Sequence, residues 1–341
     1  MKLSLFDFHL PPDRIAQKPV RPRDQSRLLV LNRKTGAISH RHFFEITEYL
    51  KSGDVLVLNN TKVFPARLNA RKESGGKIEV FLLKPVSANT WECLLGGKGR
   101  RVGLEISMEK QRFGGLKGVV IKHLTNGTWH IRFNRSGAKL RAAIHRLGTA
   151  PTPPYVKRLS NLKEYQTVFA KKSGSVAAPT AGFHFTNRLM NRIRTLGVQI
   201  EYVTLHVGYG TFQPVKETTI ERHRMHPEHL EMSKAVYQRL VKAKREGRRI
   251  IAVGTTTVRT LESLPRQLTN QQISQSTNIF IIPGYKFKMT DAMITNFHLP
   301  KSTLFILVSA FAGRTKVLKA YETAIKKHYR FYSFGDAMLI T

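Results

Sequence analysis

The chain has little cysteine and no long apolar run, and both shortages exclude whole classes of protein. Its one cysteine, Cys93, cannot form a disulfide within the chain or a thiolate metal cage, so we interpret it as a buried core thiol. No apolar stretch reaches the length of a transmembrane helix, and the N-terminal segment lacks the apolar region of a secretion signal. We therefore expect a cytoplasmic protein.

Acidic residues are also scarce relative to basic ones. The chain has 57 Lys and Arg against 22 Asp and Glu, which gives a formal net charge of +35 at pH 7. Such a charge is self-repelling unless a polyanion or counterions screen it, so nucleic acid is the leading partner class. General solubilisation of the surface is the alternative. A membrane surface is disfavoured because no amphipathic anchor accompanies the charge.

The length of 341 residues and the change in local residue pattern along the chain predict two domains. Short alternating segments and the turn signal Asn126-Gly127 predict a small antiparallel β-barrel or sandwich at 67–153. Strands and helices alternate on both sides of this range, so the small domain is predicted to be an insertion. Residues 1–66 and 154–341 then form the main domain, which we assign to the mixed α/β class.

Several helices and strands of the main domain carry recognisable signals. Thr186 and Ser233 are helix N-caps by residue type, and a Gly and Thr turn at Gly254 opens a third helix after the strand 249–253. The apolar run 304–308 is predicted to be a buried strand. A last helix is predicted to present Val317, Ala320, Tyr321, Ala324 and Ile325 on one face.

Two glycine-rich or threonine-rich segments have the character of binding sites. In residues 174–186, small side chains would let a ligand approach the backbone N–H groups, and His184 offers proton chemistry near neutral pH. The alternative is a tight loop that leads into a capped helix. At Gly254, a strand followed by a helix N-terminus makes an anion-binding geometry, because unpaired N–H groups converge there.

Other histidines lie near predicted strand ends or in a cluster. His206 follows a strand, at the edge where open α/β sheets place ligands. The dinucleotide fingerprint and the P-loop are both missing from the sequence. The spacing of His223, His226 and His229 is strained for a metal site because Pro227 interrupts a helix, so a hydrogen-bonded loop is the commoner interpretation and no metal is predicted.

An ordered series of motifs along nearly the whole chain resembles the S-adenosylmethionine:tRNA ribosyltransferase-isomerase family of the queuosine pathway. Any one motif is weak evidence, whereas this many in order are specific. The motifs are Ser26 to Leu29, Asn59-x-Thr61 with Pro65 to Arg67, Tyr165 to Val168, Gly174 to Thr186, Thr204 to Gly208 with Gly210 to Phe212, Met225 to Glu228, Gly254 to Thr256 with Arg259 to Glu262, Pro283 to Tyr285, Thr295 to Thr303, and Tyr329 to Asp336.

The resemblance implies a fold and a reaction. The fold is a mixed α/β main domain of pseudo-barrel character with an inserted antiparallel β-barrel domain. In the reaction, the ribosyl part of S-adenosylmethionine moves to 7-aminomethyl-7-deazaguanine at the tRNA wobble position and is isomerised, which gives epoxyqueuosine-tRNA and releases adenine and methionine. S-adenosylmethionine is then a consumed co-substrate, no cofactor is needed, tRNA is the macromolecular partner, and we expect a monomer.

The resemblance also selects candidate site residues, since the sulfonium acidifies the adjacent ribose carbon and the reaction needs a base there. His184 and His206 are the first candidates for this base, and His226, Glu228 and His298 are the next. Small, hydroxyl, amide and cationic residues of the matched motifs are the candidates that bind the substrates. They are Arg27, Arg67, Gly174, Ser175, Thr180, Gly208, Gly210, Gly254, Thr255, Thr256, Arg259 and Asn296.

Three residues depart from the family pattern. Asn60 and His9 stand where the family commonly has an acidic residue, and Glu164 stands where it commonly has Arg. The total positive charge is also high for the family.

Two other functions compete with the ribosyl transfer. An S-adenosylmethionine-dependent RNA methyltransferase would release S-adenosylhomocysteine instead of adenine. A non-catalytic RNA-binding protein would bind tRNA without consuming the donor.

Overall fold

The fold is described from a computed structural model, which covers residues 1–108, 115–153, 155–156, 161–208, 215, 217–265 and 272–341. Seventeen strands and six α-helices are found in these ranges. The strands are β1 Arg27–Leu31, β2 Ile38–His42, β3 Val55–Asn59, β4 Thr61–Val63, β5 Arg67–Lys72, β6 Lys77–Pro85, β7 Thr90–Gly96, β8 Glu105–Ser107, β9 Lys117–His123, β10 Trp129–Phe133, β11 Lys172–Ser175, β12 Gln199–Leu205, β13 Glu228–Ser233, β14 Ile250–Val253, β15 Gln272–Thr277, β16 Ala292–Asn296 and β17 Ala337–Ile340. The helices are α1 Gly137–Leu147, α2 Asn187–Thr195, α3 Lys234–Arg245, α4 Thr255–Glu262, α5 Thr303–Ala312 and α6 Arg314–Lys326.

Nine strands form one mixed sheet in the order β15-β13-β12-β3-β14-β16-β17-β1-β2. The four central strands β12, β3, β14 and β16 run parallel. The residues of β3 and β14 are apolar almost without interruption because both faces of the sheet are covered there. In β3, Val55 and Val57 join the core on one face, while Leu56 and Leu58 join the core on the other. The mixed α/β fold class is confirmed.

The predicted small domain contains a closed antiparallel barrel with the strand order β10-β7-β6-β5-β8-β9. Its strands span residues 67 to 133 and enclose their own apolar core, to which α1 contributes Leu140 and Ile144. Cys93 is a free, buried thiol in this core, as predicted. The domain limits at 66/67 and 153/154 stay a prediction, because a closed barrel identifies a unit without fixing the residue at which it ends.

A short two-stranded sheet connects the barrel to the main domain. The chain leaves along β4 and returns along β11, and these two strands pair in parallel. We call this pair the neck. Thr61 lies at the start of one neck strand and Gly174 lies in the other.

The strand prediction for residues 304–308 is wrong, because this segment lies within helix α5. A short apolar run cannot distinguish a buried strand from a helix that is apolar on all sides. Here Ser302 caps the helix, since its Oγ accepts a hydrogen bond from the N–H of Phe305 at 3.2 Å. The helices after Thr186, Ser233 and Gly254 are found where predicted.

Candidate functional site

The carboxyl ends of the four parallel strands meet at one edge of the main sheet, and most predicted site residues lie there. Asn59 braces this edge. Its Nδ2 donates to the carbonyl of Leu205 at 3.0 Å and to Oγ1 of Thr256 at 3.3 Å, and its Oδ1 accepts from the N–H of Thr61 at 3.1 Å. One buried amide therefore joins the end of β3 to the end of β12, to the neck and to α4.

Two pockets open at this edge. The first, which we call the helix-end pocket, holds about 580 Å³ of empty space including its open mouth. Predicted residues in its lining are Thr180, Gly254, Thr255, Thr256, Asn296 and His298. Arg, Lys, Asp and Glu are missing from the described residues that line it, so backbone and neutral side chains supply its polar character.

The second pocket, which we call the interdomain pocket, lies between the main domain and the barrel and holds about 970 Å³ including open solvent. The barrel contributes Lys84, Glu92 and Thr128 to its wall. Val207 lines both pockets, so the two are neighbours. The predicted residues in its lining are Gly174, His206, Gly208, His226 and Glu228.

His206 is clamped between the two neck strands. Its Nδ1 is 2.8 Å from Oγ1 of Thr61, and a Cβ at Gly174 would come within 2.9 Å of three atoms of the ring. Burial lowers the pKa of His206; Glu231 opposes the shift, and His229 and Lys172 add to it. The ring is thus neutral near pH 7, with one nitrogen held in place.

His184 lies behind the helix-end pocket rather than in its described lining. Its Nδ1 is 2.7 Å from Oγ of Ser26, and the ring packs on Phe43. Burial first, and then the positive charges of Arg330 and Arg23, lower its pKa to about 3, while the Asn296 side chain opposes the shift. Its Nε2 is also buried, and the contribution of Asn296 to the pKa is a side-chain hydrogen bond to the ring.

His298 lines the helix-end pocket but is deeply buried. Nε2 is 3.4 Å from Oγ1 of Thr295 and Nδ1 is 3.4 Å from the Tyr321 hydroxyl. Burial lowers its pKa to about 3. A group that gives up its proton this readily is a weak base at pH 7.

Glu228 and Arg259 form a buried ion pair between Oε2 and Nη1. The other carboxylate oxygen, Oε1, accepts a hydrogen bond from the N–H of Gly208 at 3.0 Å. Arg259 lies outside the described lining of both pockets and donates from Nε to the carbonyl of Ile279 at 3.2 Å. The ion pair keeps Glu228 in place in the lining of the interdomain pocket. Removing either charge would leave the other buried without an opposite charge, which is strongly destabilising.

The other predicted cations have partners within the protein. Arg27 stacks on the ring of Tyr329 at 3.8 Å and donates to the carbonyl of Lys327 at 2.6 Å. Arg67 pairs with Glu79 at 2.7 Å in the barrel. Neither lies in the described lining of the two pockets.

Ser175 is fully buried and bonds within the backbone. Its Oγ accepts from the N–H of Val207 at 2.9 Å and donates to the carbonyl of Ala177 at 2.6 Å. It therefore shapes the wall that the two pockets share. Gly210 lies outside the described residues.

The three departures from the family pattern lie away from both pockets. The Asn60 Oδ1 accepts from Oγ1 of Thr204 at 2.7 Å. Glu164 forms an ion pair with Arg21 at 2.7 Å, and His9 is exposed. None of the three is in the described lining of either pocket.

Sequence reasoning missed several lining residues. Tyr165, Tyr332 and Ser333 line the helix-end pocket. Tyr332 and Ser333 belong to an aromatic-rich segment, which is typical of core. Barrel residues of the interdomain pocket, among them Glu92 and Asn126, were also missed. The hairpin-turn signal Asn126-Gly127 could have identified Asn126, because hairpin turns project from the ends of a barrel, where a second domain can contact them.

The described ranges were searched for clusters of metal-ligating side chains and for helices of membrane-spanning length. No group of three His, Cys, Asp or Glu side chains lies close enough to hold a metal ion there, including the histidines around residue 226. No described helix has the length and apolarity needed to span a bilayer.

Comparisons with known proteins agree over the full length of the chain. A family model described as queuosine biosynthesis protein matches residues 3–340. The S-adenosylmethionine:tRNA ribosyltransferase-isomerase of Thermotoga maritima is 49% identical over 341 residues, and that of Desulfitobacterium hafniense is 50% identical over 344; both alignments cover all of each chain. A crystal structure described as S-adenosylmethionine tRNA ribosyltransferase from Thermotoga maritima has a TM-score of 0.57 at 40% identity, and the match covers 99% of this chain and 100% of that one.

Proposed function

The chain belongs to the queuosine biosynthesis protein family, and on that premise we propose that it transfers and isomerises the ribosyl part of S-adenosylmethionine onto 7-aminomethyl-7-deazaguanine of tRNA. Adenine and methionine are the by-products, and epoxyqueuosine-tRNA is the product. The observation that carries the proposal is the family match over residues 3–340. The chain is thus an enzyme, a transferase and isomerase that modifies tRNA.

The two adjoining pockets suit a reaction with two substrates. The helix-end pocket is the smaller of the two, is lined by main-domain residues and has no Arg, Lys, Asp or Glu in its described lining, which suits a nucleoside donor. The interdomain pocket is wider and lies beside a barrel in a chain of net charge +35, as a tRNA anticodon loop requires. Val207 lines both, so a donor in one can reach a base in the other.

Among the candidate bases, we favour His206. It reaches the interdomain pocket, and its lowered pKa leaves the ring neutral and ready to accept a proton at pH 7. His184 and His298 each have a pKa of about 3, so they bind a proton too weakly for this role. His226 is exposed in the same pocket, and Glu228 is engaged by Arg259.

The function is tested by the products. Incubation with S-adenosylmethionine and tRNA that bears the aminomethyl deazaguanine, followed by mass analysis of nucleosides, should show epoxyqueuosine together with free adenine. S-adenosylhomocysteine without adenine would instead identify a methyltransferase. Unchanged donor in a stable tRNA complex would identify an RNA-binding protein.

The base is tested by substitution. We expect His206→Ala to lower adenine release about a hundredfold or more, because general base catalysis contributes about this much. Donor and tRNA affinities, measured on the same variant, should stay close to wild type. His9→Ala is the matched control, since His9 is exposed and outside both pockets. Wild-type turnover in His206→Ala would show that another group is the base.

A further inference from the structure

We propose that Glu92 and Lys84 of the barrel bind the Watson–Crick edge of the deazaguanine base of tRNA and determine the preference for this base. The inference rests on the proposed function, because it takes the tRNA base to occupy the interdomain pocket. It adds the orientation of that base. The Watson–Crick edge lies against the barrel, and the five-membered ring with its aminomethyl group lies towards the main-domain wall, which includes His206.

The register of the barrel strands places the two side chains next to each other. A shift in register between Leu82 and Lys84 brings Lys84 of β6 directly opposite Glu92 of β7. Residues that pair in this way project from the same face of a sheet. Nζ of Lys84 is 3.3 Å from Oε2 of Glu92, and both residues line the interdomain pocket. The barrel therefore presents a carboxylate and an ammonium group side by side in the pocket wall.

The turn between β9 and β10 holds the other oxygen of the carboxylate. Oγ1 of Thr128 donates to Oε1 of Glu92 at 2.8 Å, and Nδ2 of Asn126 is 3.5 Å from the same oxygen, which is longer than an ordinary hydrogen bond. Burial acts to raise the pKa of Glu92, but the contacts with Thr128, Lys84 and Asn126 together outweigh it, so the pKa is lowered. The carboxylate is thus ionised at pH 7 and fixed in position.

The pair retains hydrogen-bonding capacity for a ligand. An ionised carboxylate has about four acceptor sites, two on each oxygen. Among the contacts of the described residues, Thr128 takes one site on Oε1 and Lys84 takes one on Oε2, which leaves one on each oxygen. The ammonium group of Lys84 has three donors, and the side chains of Glu92 and Lys84 are 11% and 70% exposed. In order along the wall, the pair offers an acceptor, a second acceptor and a donor.

This order matches the Watson–Crick edge of guanine, where the donors N2–H and N1–H are followed by the acceptor O6. A 7-deazaguanine keeps all three groups, because the replaced atom is in the other ring. The edge is unpaired in a single-stranded anticodon loop, so a protein can bind it. The adenine of the donor has an acceptor at N1, which the carboxylate would repel. The pair therefore favours the tRNA base over the donor in this pocket.

The rest of the described lining favours a base edge over an RNA phosphate. Lys84 is the only lysine or arginine in it, and the neighbouring carboxylate of Glu92 would repel a phosphate. Glu228 is the other lining carboxylate, and it is engaged by the buried Arg259 and by the N–H of Gly208. Glu92 is thus the better placed of the two to accept hydrogen bonds from a base.

The experiment measures the affinity for two anticodon stem-loop RNAs that differ by one amino group. One carries 7-aminomethyl-7-deazaguanine at the wobble position, and the other carries the same base without its 2-amino group. Wild-type protein should bind the first RNA about tenfold or more tightly, because hydrogen bonds to a base edge discriminate by about this much. Glu92→Gln should reduce this preference to less than about threefold, since its amide presents a donor where the base needs an acceptor.

Lys84→Met tests the contact with O6, which both RNAs carry. This variant should bind both RNAs about threefold or more weakly than wild type and should retain the preference for the first. Unchanged affinity in Lys84→Met would contradict the contact of the ammonium group with O6.

Glu79→Gln is the matched control. It also replaces a barrel glutamate in an ion pair, but Glu79 pairs with Arg67 at 2.7 Å and lies outside the described lining of the interdomain pocket. We expect Glu79→Gln to keep the wild-type preference between the two RNAs. Urea unfolding of both variants establishes that the affinities are measured on folded protein.

Equal affinity of the wild-type protein for the two RNAs would overturn the assignment, whether or not a variant folds. A preference of wild-type size in folded Glu92→Gln would also overturn it. Failure of the proposed function has a different signature. In that case the wild-type protein would prefer the RNA with the 2-amino group and yet release no adenine when S-adenosylmethionine is added.

Discussion

Histidines in similar motifs have different chemistry here because their surroundings differ. His184 and His298 are enclosed by the protein and have a pKa of about 3, whereas His206 is only partly enclosed and lines an open pocket. The sequence identified all three as titratable groups within the matched motifs. It could not rank them, because burial depends on residues far away in the chain, such as Ser26 beside His184.

The two buried histidines make stability depend on pH. Their pKa is lower in the folded state than the usual value of about 6.5, so the unfolded chain takes up protons first as pH falls. We expect the unfolding free energy to be highest above pH 6.5. Between there and about pH 3 it should fall by about 1.4 kcal/mol per pH unit for each histidine. Urea unfolding at pH 7, 6 and 5 measures this slope.

Substitution of His184 measures how much this one histidine contributes to the slope of the unfolding free energy against pH. His184→Gln should remove the part due to one histidine, whereas His9→Gln replaces an exposed side chain and should keep the wild-type slope. A slope unchanged in His184→Gln would mean that this ring does not stay neutral in the folded protein.

At the scale of elements, local signals predicted the helix and strand ends around the site better than they predicted buried helices. Ser233 and Gly254 begin α3 and α4 as expected, because a cap is a local property of a few residues. Helix α5 was predicted to be a strand, because its burial on all sides leaves no polar face to reveal the helical period.

The close approach of β11 to His206 gives a prediction for Gly174. A Cβ there would lie 2.8 Å from the ring, so Gly174→Ala should displace the imidazole and lower adenine release by about tenfold or more. The cost in stability should be about 1–3 kcal/mol, as for other overpacked sites. The pH dependence of turnover should also shift, because the ring would lose its fixed surroundings.

Gly76→Ala is the control for a glycine with room beside it, since its nearest neighbours are 3.7 Å from the added Cβ. This variant should match wild type in both measurements. Full activity in Gly174→Ala would contradict the role of that close contact in placing His206.

For the whole molecule, the short alternating segments after residue 67 predicted the antiparallel barrel that is found there, whereas the nucleic-acid partner that composition indicates stays a prediction. The pocket between barrel and main domain was not predictable from local patterns. Its walls combine residues such as Glu92 and Gly208, which are distant in sequence and become neighbours only when both units fold. The resemblance to a known family supplied the chemistry that such patterns lack.

The net charge of +35 predicts strong salt dependence for one substrate only. We expect tRNA affinity to fall about tenfold or more between 50 and 200 mM salt, because bound phosphates release counterions. Donor affinity should change less than about twofold, since the described lining of the helix-end pocket has no Arg or Lys. Filter binding and calorimetry over this range measure the two. A tRNA affinity that is insensitive to salt would contradict an electrostatic binding surface.

The neck has a mechanical consequence. Thr61 and Gly174, the two residues that hold the ring of His206, lie on the strands by which the barrel leaves and rejoins the main domain. A movement of the barrel relative to the main domain would therefore shift the two residues that hold this ring. We therefore expect the binding of a polyanion to the barrel to affect the proposed base, His206, through these two short strands.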